Sequence, residues 1–298
     1  MQTEVRVRLT PLLVAMRPRQ WLKNGFVLPA LVFSRHLFDA GFVARSLAAV
    51  GCFCALSSAA YLVNDVMDAE SDRRHPGKAS RPVAAGALAP GTALAAAAVL
   101  GSAGVAGAFG LTFRFGAIAV AYAAANLGYS LGLKRVVLID ILIVAGGFLL
   151  RALGGAAAIQ VPISPWFVLC TFTLALFLAA VKRRQELLAL EAEAAGHRSI
   201  LEAYSVGYLD QVIAILTGAT LVCYALYAMG VGAERAAGGH RMEWTIPFVL
   251  YGVLRYLFLV YRTGAGGNPT DVAWSDRPLQ VAVLLWGVAS VLGYYAAG

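Results

Sequence analysis

Nine long apolar runs constrain this sequence more than any other feature. A helix needs about 20 apolar residues to cross the hydrocarbon of a bilayer. The chain of 298 residues is 60% hydrophobic and only 13% charged, which is too few polar side chains to cover a water-soluble domain. The pattern predicts an all-α polytopic membrane protein, with about nine transmembrane helices in one bundle and a single domain, 1–298. The predicted spans are 21–38, 42–64, 88–109, 112–131, 137–158, 163–181, 207–230, 244–261 and 279–297.

The distribution of basic residues predicts how the bundle is oriented. The formal net charge is +8, and most of the 24 Lys and Arg residues fall in the N-terminal segment and in alternate connections. Because basic residues collect on the cytoplasmic side, we expect the N-terminus and the connections 65–87, 182–206 and 262–278 on that side of the inner (cytoplasmic) membrane. Cations placed between apolar spans favour an anionic membrane face or an anionic substrate over nucleic acid.

The segment YLVNDVMDAESDRRHPGKASRP, residues 61–82, concentrates the scarce charge of the chain at the end of the second span. Asn64, Asp68 and Asp72 are spaced four residues apart, so they share one helix face. Like charges this close destabilise a helix unless a cation neutralises them, and oxygen ligands suit Mg²⁺. We therefore predict a magnesium site, with Asp65 on an adjoining edge. The predicted ligands are Asn64, Asp65, Asp68 and Asp72, and Asp65 and Asp68 are predicted to be catalytic.

Basic residues follow directly after the acidic ones. Arg73, Lys78 and Arg81 are predicted to bind phosphate, because Mg²⁺ commonly joins carboxylates to substrate phosphates. A solvated helix end with a basic flank is the plainer interpretation. Asn64 at the end of an apolar span favours the metal–pyrophosphate site, since ionisable groups in membrane segments are few and usually functional.

A second polar cluster, VKRRQE, ends the sixth span. Lys182 and Glu186 are four residues apart and share a helix face, and Arg183 and Gln185 flank them. Taken alone, this pattern is typical of a basic helix end whose side chains reach towards the membrane surface. The cluster lies on the same predicted side as the acidic segment, which favours one shared pocket. In that pocket Lys182 and Glu186 are predicted to be catalytic, and Arg183 and Gln185 to bind substrate.

A third cluster spans the connection between the fourth and fifth spans. Tyr129 and Lys134 mark the predicted cytoplasmic end of the fourth span and are candidate substrate-binding residues. Asp140 and Arg151 lie eleven residues apart inside the fifth span, so they share a helix face. Charges at this depth usually point into the bundle. A structural ion pair between helices and a contact to substrate remain equally open, and Arg151 is retained as a candidate for substrate binding.

The motif RPRQWLKN precedes and enters the first span. Basic and aromatic residues in this position commonly anchor a helix at the membrane interface. Lys23 and Asn24 could instead reach a phosphate group, so both are retained as candidate substrate-binding residues.

These motifs resemble those of the UbiA-type intramembrane prenyltransferase superfamily. NDVMDAESD matches the NDxxDxxxD signature of the superfamily, and YSLGLKR after the fourth span fits the same pattern. Aromatic prenyltransferases of the superfamily usually carry a second aspartate-rich motif after the sixth span. This chain has Lys182 and Glu186 there instead. RPRQWLKNGFVLPALVFS, HPGKASRPVAAG and KRRQELLALE are similar to a branch of the superfamily that uses a phosphoribose donor.

The resemblance implies a helical bundle with a cavity open to the membrane and capped by cytoplasmic loops. It also implies Mg²⁺-dependent transfer of 5-phosphoribose from 5-phosphoribosyl 1-pyrophosphate to a polyprenyl phosphate, releasing pyrophosphate, for the synthesis of a cell-envelope arabinose donor. Lys182 would then suit the additional phosphate of the sugar donor. The expected partners are these two substrates and the membrane. Nucleic acid is not expected, and assembly into a homo-oligomer is left open.

Two other functions remain open from the sequence. A prenyltransferase of the same superfamily would move a polyprenyl group from its pyrophosphate to an aromatic or other acceptor. A cation-coupled transporter would use the acidic segment as an ion path. Coupling-ion sites of transporters usually lie near the membrane midplane, whereas these acidic residues are predicted at one membrane face.

Overall fold

The computed structural model of the chain is built from helices. It describes residues 10–74, 77–193, 203–230, 242–263, 272 and 275–295, and no strand occurs among them. The predicted all-α class is therefore confirmed. The α-helices are α1 Pro11–Ala15, α2 Pro29–Phe33, α3 Ala40–Met67, α4 Ala69–Arg74, α5 Pro90–Leu111, α6 Phe113–Leu131, α7 Ile139–Ile159, α8 Pro165–Glu193, α9 Val206–Ala228, α10 Ile246–Thr263 and α11 Arg277–Tyr295. Three 3₁₀ helices cover Pro18–Val27, Leu133–Arg135 and Glu243–Thr245.

Length and composition identify the helices that can cross a membrane. Within the described part of the chain six helical segments qualify, namely α3, α5, α7, α8, α9 and the segment Glu243–Arg262 that contains most of α10. Helix α11 contains a shorter apolar stretch, Arg277–Gly293. Helix α6 is an unbroken helix of 19 residues that is not among the six. The chain is a multi-span membrane protein, but the predicted number of nine spans is not confirmed.

The first predicted span, 21–38, is not one membrane-crossing helix. A 3₁₀ helix covers Pro18–Val27, and α2 adds only five residues after it. Arg17 before these short helices and Arg35 after them have left-handed backbone conformations. Each short helix begins with a proline, which lacks the N–H needed to continue a preceding helix. The prediction from hydropathy was wrong here because the apolar run persists across these breaks.

The two largest hydrophobic clusters of the described residues lie in different halves of the bundle. One joins α3, α5, α6 and α7 around Phe53, Phe115 and Tyr122. The other joins α8, α9, α10 and α11 around Phe177 and Tyr256. Helices α7 and α8 pack against each other and connect the two halves. Polar side chains from both halves can therefore meet near the α7–α8 contact.

Gly155 allows the 3₁₀ helix Pro18–Val27 to lie directly against α7. A Cβ atom on Gly155 would lie 2.1 Å from the carbonyl oxygen of Val27, so any larger residue would displace this segment. Small residues permit such close approach of backbones inside a membrane bundle. The same 3₁₀ helix carries Lys23 and Asn24, so the contact at Gly155 positions two candidate site residues.

Candidate active site

The acidic segment lies at the junction of α3 and α4. Helix α3 ends at Met67, and Asp68 caps it before α4 begins at Ala69. The backbone N–H of Asp68 donates to the carbonyl oxygen of Asn64 at 2.9 Å, and that of Asp72 donates to Asp68 at 2.8 Å. The four-residue spacing read from the sequence therefore continues in the backbone across the junction.

Lys134 neutralises one part of the acidic segment. Its Nζ lies 2.5 Å from Asp68 Oδ1 and donates to Asn64 Oδ1 at 3.3 Å. The hydroxyl of Ser130, at the end of α6, lies 3.5 Å from the same oxygen of Asn64. The structure thus brings the third sequence cluster to the end of α3.

Two arginines neutralise the other part of the acidic segment. Arg81 Nη1 lies 2.5 Å from Asp72 Oδ2 and 3.5 Å from Asp65 Oδ1. Arg17 Nη2 contacts Asp65 Oδ1 as well. Asp65 and Asp72 are buried, so both depend on these cations for neutrality. Arg81, predicted to bind phosphate, lies here as a counterion. The acidic layer is the name we use below for these carboxylates, the amide and their cations: Asn64, Asp65, Asp68, Asp72, Arg17, Arg81 and Lys134.

The acidic layer fits a divalent cation that binds together with substrate phosphates. Among the described residues, no three His, Cys, Asp or Glu side chains form a group that could hold a metal ion unaided. The second carboxylate oxygen of Asp65 is buried and has no hydrogen-bond partner in the described part of the chain. Mg²⁺ commonly takes one or two carboxylates and completes its coordination with water and phosphate oxygens. The residues therefore fit Mg²⁺ accompanied by an anionic substrate, and the four-residue ligand set stays a prediction.

The polar cluster of α8 faces the start of α7. Arg183 Nη2 lies 2.6 Å from Asp140 Oδ2, and its Nη1 lies 2.5 Å from Glu186 Oε2. Lys182 Nζ lies 3.9 Å from Glu186 Oε1, at the limit of an ion pair, and the Lys182 side chain is 52% exposed. Glu186 is thus held mainly by Arg183. Lys182 is the cation of this cluster with the most accessible charge.

Asp140, at the start of α7, contacts both α8 and the segment before α9. It is fully buried, pairs with Arg183, and accepts a hydrogen bond from the hydroxyl of Tyr204 at 2.8 Å. The same hydroxyl accepts from the backbone N–H of Leu138 at 2.7 Å. Burial raises the pKa of Tyr204 to about 12, so its hydroxyl remains a donor at neutral pH. Of the two roles left open for Asp140, these contacts favour the ion pair between helices. Tyr129 also lies beside Arg183.

Arg151 forms a separate polar layer with the 3₁₀ helix and α6. Its Nε donates to Asn24 Oδ1 at 2.7 Å, its Nη2 to the hydroxyl of Tyr122 at 2.7 Å, and its Nη1 to the carbonyl oxygen of Gly147 at 2.9 Å. The amide of the fully buried Asn24 donates to Ser57 Oγ at 3.4 Å. Arg151 is 6% exposed, and no described carboxylate forms an ion pair with it. The structure therefore does not pair Arg151 with Asp140, although both lie on α7.

Lys23 precedes Asn24 on the same 3₁₀ helix and is half-buried. Its pKa is lowered to about 8 by burial and by the positive charges of Lys182, Arg151 and Arg17, in that order of influence. An anchor at the membrane interface would keep its ammonium in water and away from other cations, so these surroundings favour a site role. The cationic layer is the name we use below for Lys23, Asn24, Tyr122 and Arg151.

Two predicted substrate-binding residues, Arg73 and Gln185, bond to the backbone outside these layers. Arg73 is exposed, and its Nε donates to the carbonyl oxygen of Ala84 at 3.1 Å. Gln185 is buried, and its amide donates to the carbonyl oxygen of Val260 on α10 at 3.3 Å. Lys78 lies in the turn region after α4. Arg73 and Gln185 therefore bind the backbone of neighbouring segments, and their positions give no support to a substrate role.

Three residues that bond to candidates from the sequence were themselves missed by sequence reasoning. Tyr122 had a usable signal, because it lies seven residues before Tyr129 and so shares a face of α6 with a candidate. Arg17 and Tyr204 had none in the local pattern. Their partners are 48 and 64 residues away in the chain, and only the packing of the helices brings them together.

An apolar groove of about 700 Å³ opens beside the cationic layer. One wall consists of Gly25, Leu28, Val32 and Phe33, and the other consists of residues of α11 between positions 283 and 292. Gly25 follows Asn24 directly in the chain, so the groove opens next to the segment that carries Lys23 and Asn24. An apolar groove near cations suits a lipid that carries an anionic headgroup.

Known proteins are similar to this chain over most of its length. The model of the UbiA prenyltransferase family matches residues 25–276. A decaprenyl-phosphate phosphoribosyltransferase of Mycolicibacterium smegmatis is 38% identical over 288 residues, covering 92% of this chain and 89% of that protein. One from Mycobacterium tuberculosis is 39% identical over 293 residues, covering 95% of this chain and 94% of that protein.

Solved structures show the same fold at much lower identity. A UbiA homolog from Archaeoglobus fulgidus bound to GPP and Mg²⁺ has a TM-score of 0.69 at 15% identity, covering 96% of this chain and 99% of that one. The digeranylgeranylglyceryl phosphate synthase structure has a TM-score of 0.66 at 17% identity, covering 96% and 98% of the two chains. The fold resemblance and the family match agree with the signature read from the sequence, and the chain belongs to the UbiA prenyltransferase family.

Proposed function

We propose that this protein transfers 5-phosphoribose from 5-phosphoribosyl 1-pyrophosphate to a polyprenyl phosphate, with release of pyrophosphate. The observation that carries the proposal is its 36–39% identity, over more than nine tenths of the chain, to relatives named decaprenyl-phosphate phosphoribosyltransferase. The polar cluster of α8 adds support, because the accessible cation Lys182 lies where aromatic prenyltransferases of the superfamily usually carry an aspartate-rich motif. A cation there suits a donor with an additional phosphate.

The acidic layer would bind the pyrophosphate part of the donor. Asp65 and Asp68, with Asn64 and Asp72, would hold Mg²⁺, which would neutralise negative charge developing on the leaving pyrophosphate. Arg81 and Arg17 now pair with the carboxylates and could turn to phosphate oxygens once a metal ion neutralises those carboxylates. Such an exchange suits a layer in which three cations balance three carboxylates.

The polar cluster of α8 would bind the sugar end of the donor. Lys182 would contact the 5-phosphate, and Arg183 would hold Glu186 in place, as it does in the structure at 2.5 Å. Glu186 would accept a hydrogen bond from a ribose hydroxyl. Tyr129 and Lys134 lie beside Arg183 and Asp68, respectively, and would close the donor pocket between the acidic layer and the end of α8.

The bond change needs little acid–base chemistry from the protein. A phosphate oxygen of the acceptor forms a bond to the anomeric carbon, and the bond from that carbon to the pyrophosphate oxygen breaks. The acceptor is already an anion, so no strong general base is needed. Attack from the face opposite the leaving group should invert the anomeric carbon.

The basic residues support a cytoplasmic placement of this site. The acidic segment, the connection after α6 and the polar cluster of α8 all carry Lys or Arg. Lys134 of that connection contacts Asp68, and Tyr129 near the end of α6 lies beside Arg183 of α8. Such a concentration favours the cytoplasmic face of the inner membrane. We propose that the water-soluble donor enters there and the lipid acceptor enters from the bilayer.

A direct assay tests the proposed reaction. Purified protein in nanodiscs is incubated with Mg²⁺, radiolabelled 5-phosphoribosyl 1-pyrophosphate and decaprenyl phosphate. We expect a labelled lipid and an equal amount of pyrophosphate, both dependent on divalent metal. A parallel reaction supplies decaprenyl pyrophosphate with an aromatic acceptor. Consumption of the prenyl pyrophosphate, with no labelled lipid in the first reaction, would show that the protein is a prenyltransferase of the more usual kind.

A further inference from the structure

The cationic layer carries positive charge that no described carboxylate balances. Arg151 is 6% exposed, and its bonds to Asn24, Tyr122 and Gly147 use three of the five N–H donors of a guanidinium. Lys23 also lacks a carboxylate partner among the residues that the structure describes. Burying unpaired cations is unfavourable, so a layer kept in this state suits an anion that arrives from outside.

The two layers occupy different levels of the bundle. Asn24 bonds to Ser57 on α3, and Ser57 comes eight residues before Asp65 on the same helix. Eight residues correspond to about 12 Å along a helix axis. Asn24 and its partner Arg151 therefore lie about two helical turns from Asp65, and no described ion pair joins Arg151 or Lys23 to an acidic carboxylate. A ribose ring can lie between the two levels, with one phosphate group bound on each side of it.

The apolar groove opens next to the segment that carries Lys23 and Asn24. It begins at Gly25 and runs between α2 and α11, with a volume of about 700 Å³. A lipid in this groove would present its headgroup to Lys23, which lies two residues from Gly25. The charge of the layer and the lining of the groove thus match the two ends of one molecule.

We infer that the cationic layer is the acceptor subsite, in which Lys23 and Arg151 bind the phosphate of a polyprenyl phosphate whose tail lies in the apolar groove. This inference rests on the proposed function and divides its substrates between the two layers. Asn24 and Tyr122 act as positioning residues, because they hold the guanidinium of Arg151 through its Nε and Nη2. The lowered pKa of Lys23 is consistent with a site that lacks its anion.

A binding experiment without donor tests this subsite. Full-length protein in zwitterionic nanodiscs is titrated with decaprenyl phosphate and with uncharged decaprenol. We expect wild type to prefer the phosphate by about tenfold or more, and Lys23→Gln to remove about tenfold of that preference. Arg19→Gln is the matched control, because Arg19 is an exposed cation on the same 3₁₀ helix. Equal losses in Arg19→Gln and Lys23→Gln would overturn the subsite and indicate general attraction to basic charge.

A second variant separates a binding role from a structural one. Asn24→Asp places a carboxylate where an amide oxygen now accepts from Arg151 Nε at 2.7 Å. This internal anion should raise the melting temperature or leave it unchanged. It should also weaken decaprenyl phosphate binding about tenfold, with decaprenol binding unchanged. If the layer were only structural, Asn24→Asp would shift the melting temperature and leave the preference for phosphate intact.

The outcomes for the subsite and for the proposed reaction are distinguishable. If both variants lose the preference for phosphate but wild type forms no labelled lipid, the subsite stands and the proposed reaction fails. If wild type forms labelled lipid while both variants keep the preference, the reaction stands and the subsite is overturned. Weaker donor binding in Lys23→Gln, with unchanged lipid binding, would also overturn it and would assign Lys23 to the donor.

Discussion

The acidic layer and the cationic layer differ in how the charges of their side chains are balanced. In the acidic layer, each carboxylate already contacts a lysine or arginine of the protein. In the cationic layer, Lys23 and Arg151 have no such partner among the described residues, and neutral groups alone hold Arg151. A balanced layer can exchange its internal cations for a metal and phosphates. An unbalanced layer can gain an anion, and on this difference we propose that the two substrates bind in different layers.

The largest effect is expected when the acidic layer loses one charge. Asp68→Asn keeps the side-chain shape but removes a predicted metal ligand and the partner of Lys134. We expect the turnover number to fall by about 100-fold or more, because charge on the leaving group is no longer neutralised. Initial rates at saturating substrates, over a range of Mg²⁺ concentrations, measure this effect.

The neighbouring surface supplies the control for that variant. Glu70→Gln removes an acidic residue of the same segment whose side chain is 78% exposed. It should leave turnover unchanged. Near-normal turnover of Asp68→Asn at limiting Mg²⁺ would remove Asp68 from the metal site.

A second prediction concerns the buried ion pair between Asp140 and Arg183, which joins α7 to α8. Asp140→Asn leaves Arg183 without its fully buried partner. Breaking such a pair should lower the free energy of unfolding by about 3 kcal/mol, whereas an exposed pair such as Arg74–Glu70 contributes less than about 1 kcal/mol. Thermal unfolding of Asp140→Asn and of Glu70→Gln, measured in the same detergent, compares the two losses. An unchanged melting temperature in Asp140→Asn, with turnover abolished, would instead place Asp140 in the chemistry.

Lys182→Ala sharpens the division between donor and acceptor. If Lys182 contacts a donor phosphate, loss of one charge-assisted contact should weaken donor binding about tenfold or more and leave acceptor binding unchanged. Titration with 5-phosphoribosyl 1-pyrophosphate and Mg²⁺, with a melting curve on the same preparation, measures both properties. A lower melting temperature with unchanged donor affinity would mean that Lys182 only anchors α8 at the membrane surface.

The smallest effect is expected from pH. Burial, followed by the charges of Lys182, Arg151 and Arg17, holds the pKa of Lys23 at about 8. A bound phosphate favours the charged lysine, so acceptor affinity should fall several-fold as the pH rises from about 7 to about 9. Lys23→Arg stays charged over this range and should flatten the profile. An equally steep profile in Lys23→Arg would assign the titration to another group.

Regular patterns in the sequence predicted the helical fold well, but not its first part. Apolar runs identified α3 and α5 to α11 because each run is continuous. The short helices before α3 depend on prolines and on left-handed residues such as Arg17 and Arg35, which do not change the mean hydropathy. A window of hydropathy therefore reported one span where the backbone forms two short helices.

Local spacing also predicted which residues matter better than it predicted their partners. The ladder Asn64, Asp68 and Asp72 is a feature of one helix face, so its spacing was visible in the sequence. In the structure Lys134 contacts Asn64 and Asp68, and Arg81 contacts Asp72. These contacts depend on how distant segments pack, so local spacing does not predict them. Gln185 shows the opposite error, because a polar residue beside a candidate pair bonds instead to the backbone of α10.

The position of a bound metal ion tests the account most directly. Crystals of the protein are grown with Mn²⁺ in place of Mg²⁺ and with 5-phosphoribosyl 1-pyrophosphate, and anomalous diffraction locates the manganese. We predict a peak at the junction of α3 and α4 within bonding distance of a carboxylate oxygen of Asp65 or Asp68, with Arg81 turned from Asp65 towards the pyrophosphate. A donor bound at Lys23 and Arg151 with no metal at this junction would contradict the division of substrates between the acidic and cationic layers.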